Sequence, residues 1–314
     1  MRRFWKLARP HQWSKGVFVL VGPLYGLKDL GDTAHKKAAL IAGLLAFAAF
    51  ALASSACYVV NDLVDADQDR AHPRKRFRPI ASGAVTPGQA KVFVAGLVAT
   101  AAAVLFCLNP EVRLAVALVV FAYVANVWAY SLKLKHIVIA DVMSLSLGFC
   151  LRMFGGCAAV GIAPTTWLLN CTLFLAMFFA FGKRLGERRT MGEEAATARF
   201  VQAAYTDDLL RMAVVVTGVA TLITYAGYVQ FREAENTHVI PPFHAGINVL
   251  WFTIIPAVYA LLRCIVLLER GTYDDPTELA VKDGPMKIAV GAFGLVTLGV
   301  LTWKGWAPFL GWGP

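Results

Sequence analysis

The sequence predicts an all-α integral membrane protein with nine transmembrane helices. Of its 314 residues, 58% are hydrophobic and 16% charged, against about 45–50% and about 25% in a soluble domain. The mean hydropathy is +0.60. The apolar residues also gather in runs close to the roughly 20 residues that a helix needs to cross a bilayer. No stretch is polar enough to fold outside the membrane, so a single domain over 1–314 is expected.

The helices are expected at 15–28, 38–60, 88–108, 112–132, 138–158, 165–183, 209–230, 246–267 and 286–306. The first is short and contains Gly22 and Pro23. Asn109-Pro110, the run from Gly161 to Pro164, and Pro241-Pro242 punctuate three of the turns. Before the first helix, MRRFWKLARPHQWSKG is basic and has no cleavable signal pattern. It reads as an interfacial segment with Trp5 and Trp13 at headgroup depth. Asp275-Pro276-Thr277-Glu278 reads as a helix N-cap followed by Pro and a capping-box Glu.

The formal net charge is +10. With the N-terminus inside, most of the 30 Lys and Arg fall in or beside the cytoplasmic turns. Lys28, Lys36 and Lys37 are the main exceptions. No basic module stands apart from the spans, which argues against nucleic-acid binding. The six cysteines all sit in apolar segments without metal-ligand spacing and read as small buried hydrophobes. The histidines are scattered and read as structural or interfacial.

The most informative stretch is NDLVDADQDRAHPRKRFRPIASG, Asn61 to Gly83. Asp62, Asp65 and Asp69 stand at i, i+3 and i+7 and share one helical face, while Asp67 points elsewhere. Three carboxylates in two turns repel one another unless a cation binds, and hard oxygen ligands suit Mg²⁺. His72-Pro73 ends the helix, and Arg74, Lys75, Arg76 and Arg78 follow at once. Carboxylates to hold a metal, followed by cations to hold phosphate oxygens, suit a metal-bound diphosphate.

The pattern Asn-Asp-x-x-Asp-x-x-x-Asp, then His-Pro, Lys and Arg-Pro, resembles the first signature of the UbiA superfamily of intramembrane prenyltransferases. RPHQWSKG at the N-terminus also fits. The resemblance implies nine transmembrane helices around a central cavity, with a metal–diphosphate site facing the cytoplasm.

Ordinary members of that superfamily carry a second acidic motif, DxxxD. The corresponding stretch here, YSLKLKHIVIADVMSLSLGFCLRMFGG, has Asp141 but Leu145 four residues on, with Tyr130, Lys133 and Lys135 in the preceding turn. This cation-rich departure, with HPRKRFRPIASG, FGKRLGE and ERGTYDDPTEL, resembles the phosphoribosyltransferase branch. That branch transfers 5-phosphoribose from phosphoribosyl pyrophosphate to a polyprenyl phosphate of the decaprenyl type, toward lipid-linked pentose donors for cell-wall glycan. The alternative is an ordinary prenyltransferase that attaches a prenyl chain to a quinone or haem precursor.

Asp141, Gly148 and Arg152 share a helix face. An arginine within a span is costly and usually has an anionic partner. Arg152 is read either as a contact for the lipid phosphate or as paired with a carboxylate or carbonyl. Lys183, Arg184, Glu187 and Arg188 begin the next cytoplasmic turn. Lys183 and Arg184 are read as reaching phosphates, against the simpler reading of Lys183 and Glu187 as a surface pair.

On these readings Asp62, Asp65 and Asp69 hold Mg²⁺, with Mn²⁺ as the alternative, and Asn61 orients a carboxylate or contacts the sugar. Phosphate contacts are expected from Lys15, Lys75, Arg78, Tyr130, Lys133, Lys135, Asp141, Arg152, Lys183, Arg184 and Glu187. The acceptor phosphate is already anionic, so no general base is required. The expected setting is the inner or plasma membrane, with the site on the cytoplasmic side; a homo-oligomer is compatible with it.

Overall fold

Long apolar runs form the helices, and the turn residues end them. The structure, a computed structural model, describes residues 2–25, 33–71, 75–191, 204–239, 245–271 and 282–306. The expected end at His72-Pro73, the Pro241-Pro242 break and the Asp275–Glu278 cap lie outside them. Two compact units partition the chain: Met1–Leu134 with Leu147–Pro164, and Lys135–Ser146 with Thr165–Pro314.

The first unit opens with α1 (Arg2–Ala8), a 3-10 segment (Pro10–Gly16) and α2 (Val17–Tyr25). It continues with α3 (Thr33–Val64), α4 (Ala66–Ala71), α5 (Pro87–Phe106) and α6 (Pro110–Leu132). The later part of α7 (Ala140–Ala159) completes it. Local chemistry sets the boundaries. Thr86 and Gln89 form a capping box ahead of α5, with Pro87 in its first turn. Asn109 accepts from the Glu111 amide ahead of α6. Gly161, at φ 71°, closes α7: the Ile162 amide reaches back to the Cys157 carbonyl at 3.0 Å.

Phe50, Val116, Val120 and Tyr123 make one core of this unit. Leu7, Val59, Ile80 and Ala90 make another under the N-terminal segment. α2 lies directly on α7: a Cβ at Gly156 would run into the Val19 carbonyl. Trp5 is exposed and meets Trp13 edge to face at 5.8 Å.

The second unit contains the start of α7, then α8 (Thr166–Met191) and α9 (Asp207–Phe231). A one-turn helix, Glu233–Asn236, leads into an antiparallel pair of three-residue strands, Thr237–Val239 and Gly246–Asn248. α10 (Ile254–Glu269) and α11 (Gly284–Trp306) follow. Phe178, Phe181, Leu210, Val214, Leu261 and Leu268 centre its core.

Eight helices among the described residues are long and apolar enough to cross a membrane, and the protein is a multi-span membrane protein. They match the second to ninth expected spans. The first appears as the nine-residue α2, with Pro23 inside it.

Two further differences have local causes. α8 runs on to Met191, so Lys183–Arg188 lie on helix and do not open a turn. Lys, Arg, Leu and Glu are good helix formers, and Arg188 and Arg189 suit the negative end of the helix dipole. The short strand pair was not expected; three residues per strand give too little alternation to read. Of the cysteines, Cys57, Cys150, Cys157 and Cys264 are buried, Cys171 is half-buried and Cys107 is exposed.

Candidate active site

The acidic motif sits where α3 runs into α4. Asp65 stands between the two helices, yet its amide bonds the Asn61 carbonyl at 2.9 Å and the Asp69 amide bonds the Asp65 carbonyl at 2.8 Å. The helical path therefore continues, and Asp62 and Asp69 come round to one side. Arg78 Nη1 donates to both, at 3.2 Å to Asp62 Oδ1 and 2.7 Å to Asp69 Oδ2. Arg9 Nη2 donates to the same Asp62 oxygen at 2.5 Å. The two carboxylates are each 3% exposed and the two arginines are part-exposed, so one partly sealed cluster balances two charges of each sign.

Arg9 is placed by the N-terminal segment. Its φ of 52° turns the chain from α1 into the 3-10 segment, and its guanidinium lies 5.1 Å from the centre of the Tyr58 ring. Ser55 pins this segment to α3, accepting from Trp13 Nε1 at 3.0 Å and donating to the Ala8 carbonyl at 2.8 Å. Asn61, Asp65 and Lys15 are half-buried, whereas Lys75 is exposed. Asp67 is exposed and pairs with Arg70 at 2.5 Å. Tyr130 is half-buried and Lys133 exposed, at the end of α6.

Asp62, Asp65 and Asp69 offer only hard oxygen donors, the chemistry that Mg²⁺ takes. No group of three or more His, Cys, Asp or Glu able to hold a metal occurs among the described residues. The three carboxylates expected to share a metal are thus not gathered into a metal-holding group; Asp62 and Asp69 share Arg78 instead.

In the second unit Asp141 is fully buried. Its Oδ2 accepts from Arg184 Nε at 3.2 Å and Nη2 at 3.1 Å. Its Oδ1 accepts from the Tyr205 hydroxyl at 2.6 Å. Tyr205 Oη in turn accepts from the Ile139 amide at 2.7 Å, which anchors a β-branched residue at φ 69°, a region such residues rarely adopt. Burial, and the bond donated to Asp141, push the Tyr205 phenol above its usual value. Arg184 is 2% exposed and also meets Glu187 at 3.5 Å. Two residues expected to meet phosphate, Asp141 and Arg184, thus meet each other. Lys135, Lys183 and Glu187 are half-buried.

The profile of the UbiA prenyltransferase family matches residues 18–291. The chain belongs to the UbiA prenyltransferase family. The match runs through both units. A decaprenyl-phosphate phosphoribosyltransferase of Mycolicibacterium smegmatis is 33% identical over 290 residues, covering 90% of this chain and 87% of that one. The Corynebacterium glutamicum protein of the same name is 32% identical over 285 residues, covering 90% and 82%. Among solved structures, a UbiA homolog from Archaeoglobus fulgidus bound to GPP and Mg²⁺ superposes with a TM-score of 0.67. It shares 17% identity and covers 96% of this chain and 99% of that one, a likeness of fold.

Sequence reasoning missed two polar residues of this UbiA-family chain. Arg9 was within reach, because it opens the RPHQWSKG segment. Tyr205 carried no signal: it stands 64 residues from Asp141, in no motif.

Proposed function

We propose that this UbiA-family enzyme transfers 5-phosphoribose from phosphoribosyl pyrophosphate to a polyprenyl phosphate of the decaprenyl type, releasing pyrophosphate. The observation that carries the reading is the state of Asp141. Ordinary members of the family resemble one another in having two acidic motifs. Here the only carboxylate at the second position is sealed by Arg184 and Tyr205, which leaves one acidic motif to work with. The identity to decaprenyl-phosphate phosphoribosyltransferases over 90% of the chain supports the same reading.

In this proposal Asp62, Asp65 and Asp69 would hold Mg²⁺, and the ion would supply positive charge to offset that of the departing pyrophosphate. Asn61 orients a carboxylate or contacts the sugar. Arg9 and Arg78 exchange their carboxylate partners for phosphate oxygens as substrate arrives, and Lys15 and Lys75 add charge-assisted bonds. Tyr130, Lys133, Lys135 and Lys183 bind further phosphate oxygens. Arg184 and Glu187 act with Asp141 to fix the end of α8.

An oxygen of the acceptor phosphate attacks ribose C1 from the face opposite the pyrophosphate. The C1–O bond breaks with its electron pair going to the pyrophosphate. No proton has to move, because the acceptor oxygen is anionic. Preorganised cations stabilise the charge that builds on the leaving group. The setting is the plasma membrane with the acidic motif on the cytoplasmic side, as the placement of Lys and Arg favours.

The test uses purified full-length protein with labelled phosphoribosyl pyrophosphate, polyprenyl phosphate and Mg²⁺. A labelled lipid and free pyrophosphate are expected. Folded protein that yields neither, yet turns over a prenyl diphosphate, would establish the ordinary prenyltransferase reading instead.

A further inference from the structure

Arg152 is 6% exposed on α7, inside a membrane span. Its Nη2 donates to the Tyr123 hydroxyl at 2.6 Å and its Nη1 to the Gly148 carbonyl at 3.3 Å. The guanidinium carbon lies 4.5 Å from the Tyr123 ring centre and 5.4 Å from that of Phe149. The Tyr123 hydroxyl donates onward to Ser54 Oγ at 3.4 Å. Every one of these partners is neutral. No carboxylate among the described residues pairs with Arg152, although a buried cation needs an anion more than an exposed one does. The contrast with Arg184, also buried but held by Asp141, is internal to the chain.

The position of this cation gives it a chemical meaning. Ser54 precedes Asp62 by eight residues on α3, about 12 Å along the helix. A prenyl diphosphate has an anion at one end and hydrocarbon at the other, and a guanidinium at that depth opposes the hydrocarbon. Phosphoribosyl pyrophosphate is anionic at both ends, with a phosphate monoester on C5, and polyprenyl phosphate is itself a monoester. Gly148 leaves the guanidinium uncrowded: a Cβ there would meet Arg152, Tyr123 and Asn126 at 3.7–3.9 Å, ordinary contact.

We infer that Arg152, with Tyr123 and Ser54, is a receptor for a phosphate monoester and selects against an uncharged substrate end. The inference rests on the transfer reaction proposed above. Arg152 is a binding residue, Tyr123 orients its guanidinium, and Ser54 orients Tyr123.

The experiment uses full-length protein in lipid nanodiscs and the variants Arg152→Met, Arg152→Lys and Tyr123→Phe. Each is titrated with phosphoribosyl pyrophosphate at saturating lipid and with polyprenyl phosphate at saturating sugar. Arg152→Met should raise KM for one substrate by about tenfold or more, as loss of a charge-assisted contact does, and Arg152→Lys should recover part of it. The substrate whose KM moves identifies the source of the monoester. If both KM values stay within about twofold of wild type, Arg152 is a structural cation clamped by rings and the inference is overturned. Should Arg152→Met not fold, Arg152→Lys and Tyr123→Phe carry the same comparison.

If the wild type makes no product, the parent reading has failed and thermal shifts test the receptor alone. Ribose 5-phosphate or polyprenyl phosphate should raise the unfolding midpoint of wild type and not of Arg152→Met. Equal rises in both, or none in either, overturn the inference.

Discussion

Arg9 Nη2 stands 2.5 Å from Asp62 Oδ1, across 53 residues of chain. The contact joins the N-terminal segment to the acidic motif, and it does so at a carboxylate that is 3% exposed. Asp62 therefore serves both the fold and the proposed chemistry, and the two roles can be separated. Asp62→Asn should abolish turnover. The double-mutant cycle between Arg9→Gln and Asp62→Asn, read by thermal or denaturant unfolding in detergent, should give a coupling of about 1.5–3 kcal/mol, the range for hydrogen bonds to charged groups. A coupling near zero would mean that the contact is exchanged freely for water.

Asp141 should behave differently. Its removal leaves Arg184, 2% exposed, without its main counter-charge. Breaking such a buried pair costs about 3–5 kcal/mol. Asp141→Asn should thus lower the amount of folded protein and the unfolding midpoint, whereas Asp65→Asn should remove activity and leave the midpoint nearly unchanged. A fully stable Asp141→Asn protein would return Asp141 to the list of substrate ligands.

How much of this was readable in the chain depends on the range of each interaction. Eight of nine spans follow from local hydropathy, because a lipid-facing helix such as α5 or α6 records its environment residue by residue. The face shared by Asp62 and Asp69 follows from helical period alone. The guanidinium that joins them was not readable as such: Arg78 reads as a phosphate contact, and its bonds to Asp62 and Asp69 appear only in the folded chain. The Asp141–Arg184 pair spans 43 residues and two helices, and no spacing rule connects them. The end of α8 was misplaced because a hydropathy window stops at charge, while the helix continues through residues with high helical propensity.

Tyr205 gives a prediction in pH. Its folded phenol lies above the usual tyrosine value of about 10 because it is buried and donates to Asp141. A raised phenol pKa means that the folded state holds the proton more tightly. The contribution is complete below about pH 10 and is lost as pH rises beyond it and the unfolded phenol ionises. The stability advantage of wild type over Tyr205→Phe should be constant through neutral pH and shrink above about pH 10. An advantage that grew in alkali would show that the hydroxyl does not donate to Asp141.

Packing of α2 on α7 is close at Gly156. Gly156 has the Val19 carbonyl where its side chain would be. Backbone cannot step aside as a flexible side chain can, so Gly156→Ala should cost about 1–3 kcal/mol, the range for overpacking. The open Gly96, whose Cβ would meet nothing within 4 Å, is the control: Gly96→Ala should be neutral or slightly stabilising, since Ala has the higher helix propensity. Unfolding midpoints of the two variants, measured side by side, decide the matter. Equal midpoints would mean that α2 rides on α7 loosely.

The proposed metal dependence sets one last expectation. Chelation should stop turnover, and Mg²⁺ should restore it, with Mn²⁺ a partial substitute because both take oxygen ligands. Asp67 is the internal control: it is 92% exposed and already paired with Arg70, so Asp67→Asn should leave the Mg²⁺ concentration for half-maximal rate where wild type has it. Asp69→Asn should shift that concentration upward by about tenfold or more if Asp69 is a ligand, since each lost carboxylate removes charge from the metal's surroundings. Identical Mg²⁺ curves for Asp69→Asn and Asp67→Asn would assign Asp69 to Arg78 alone and leave Asp62 and Asp65 to hold the ion.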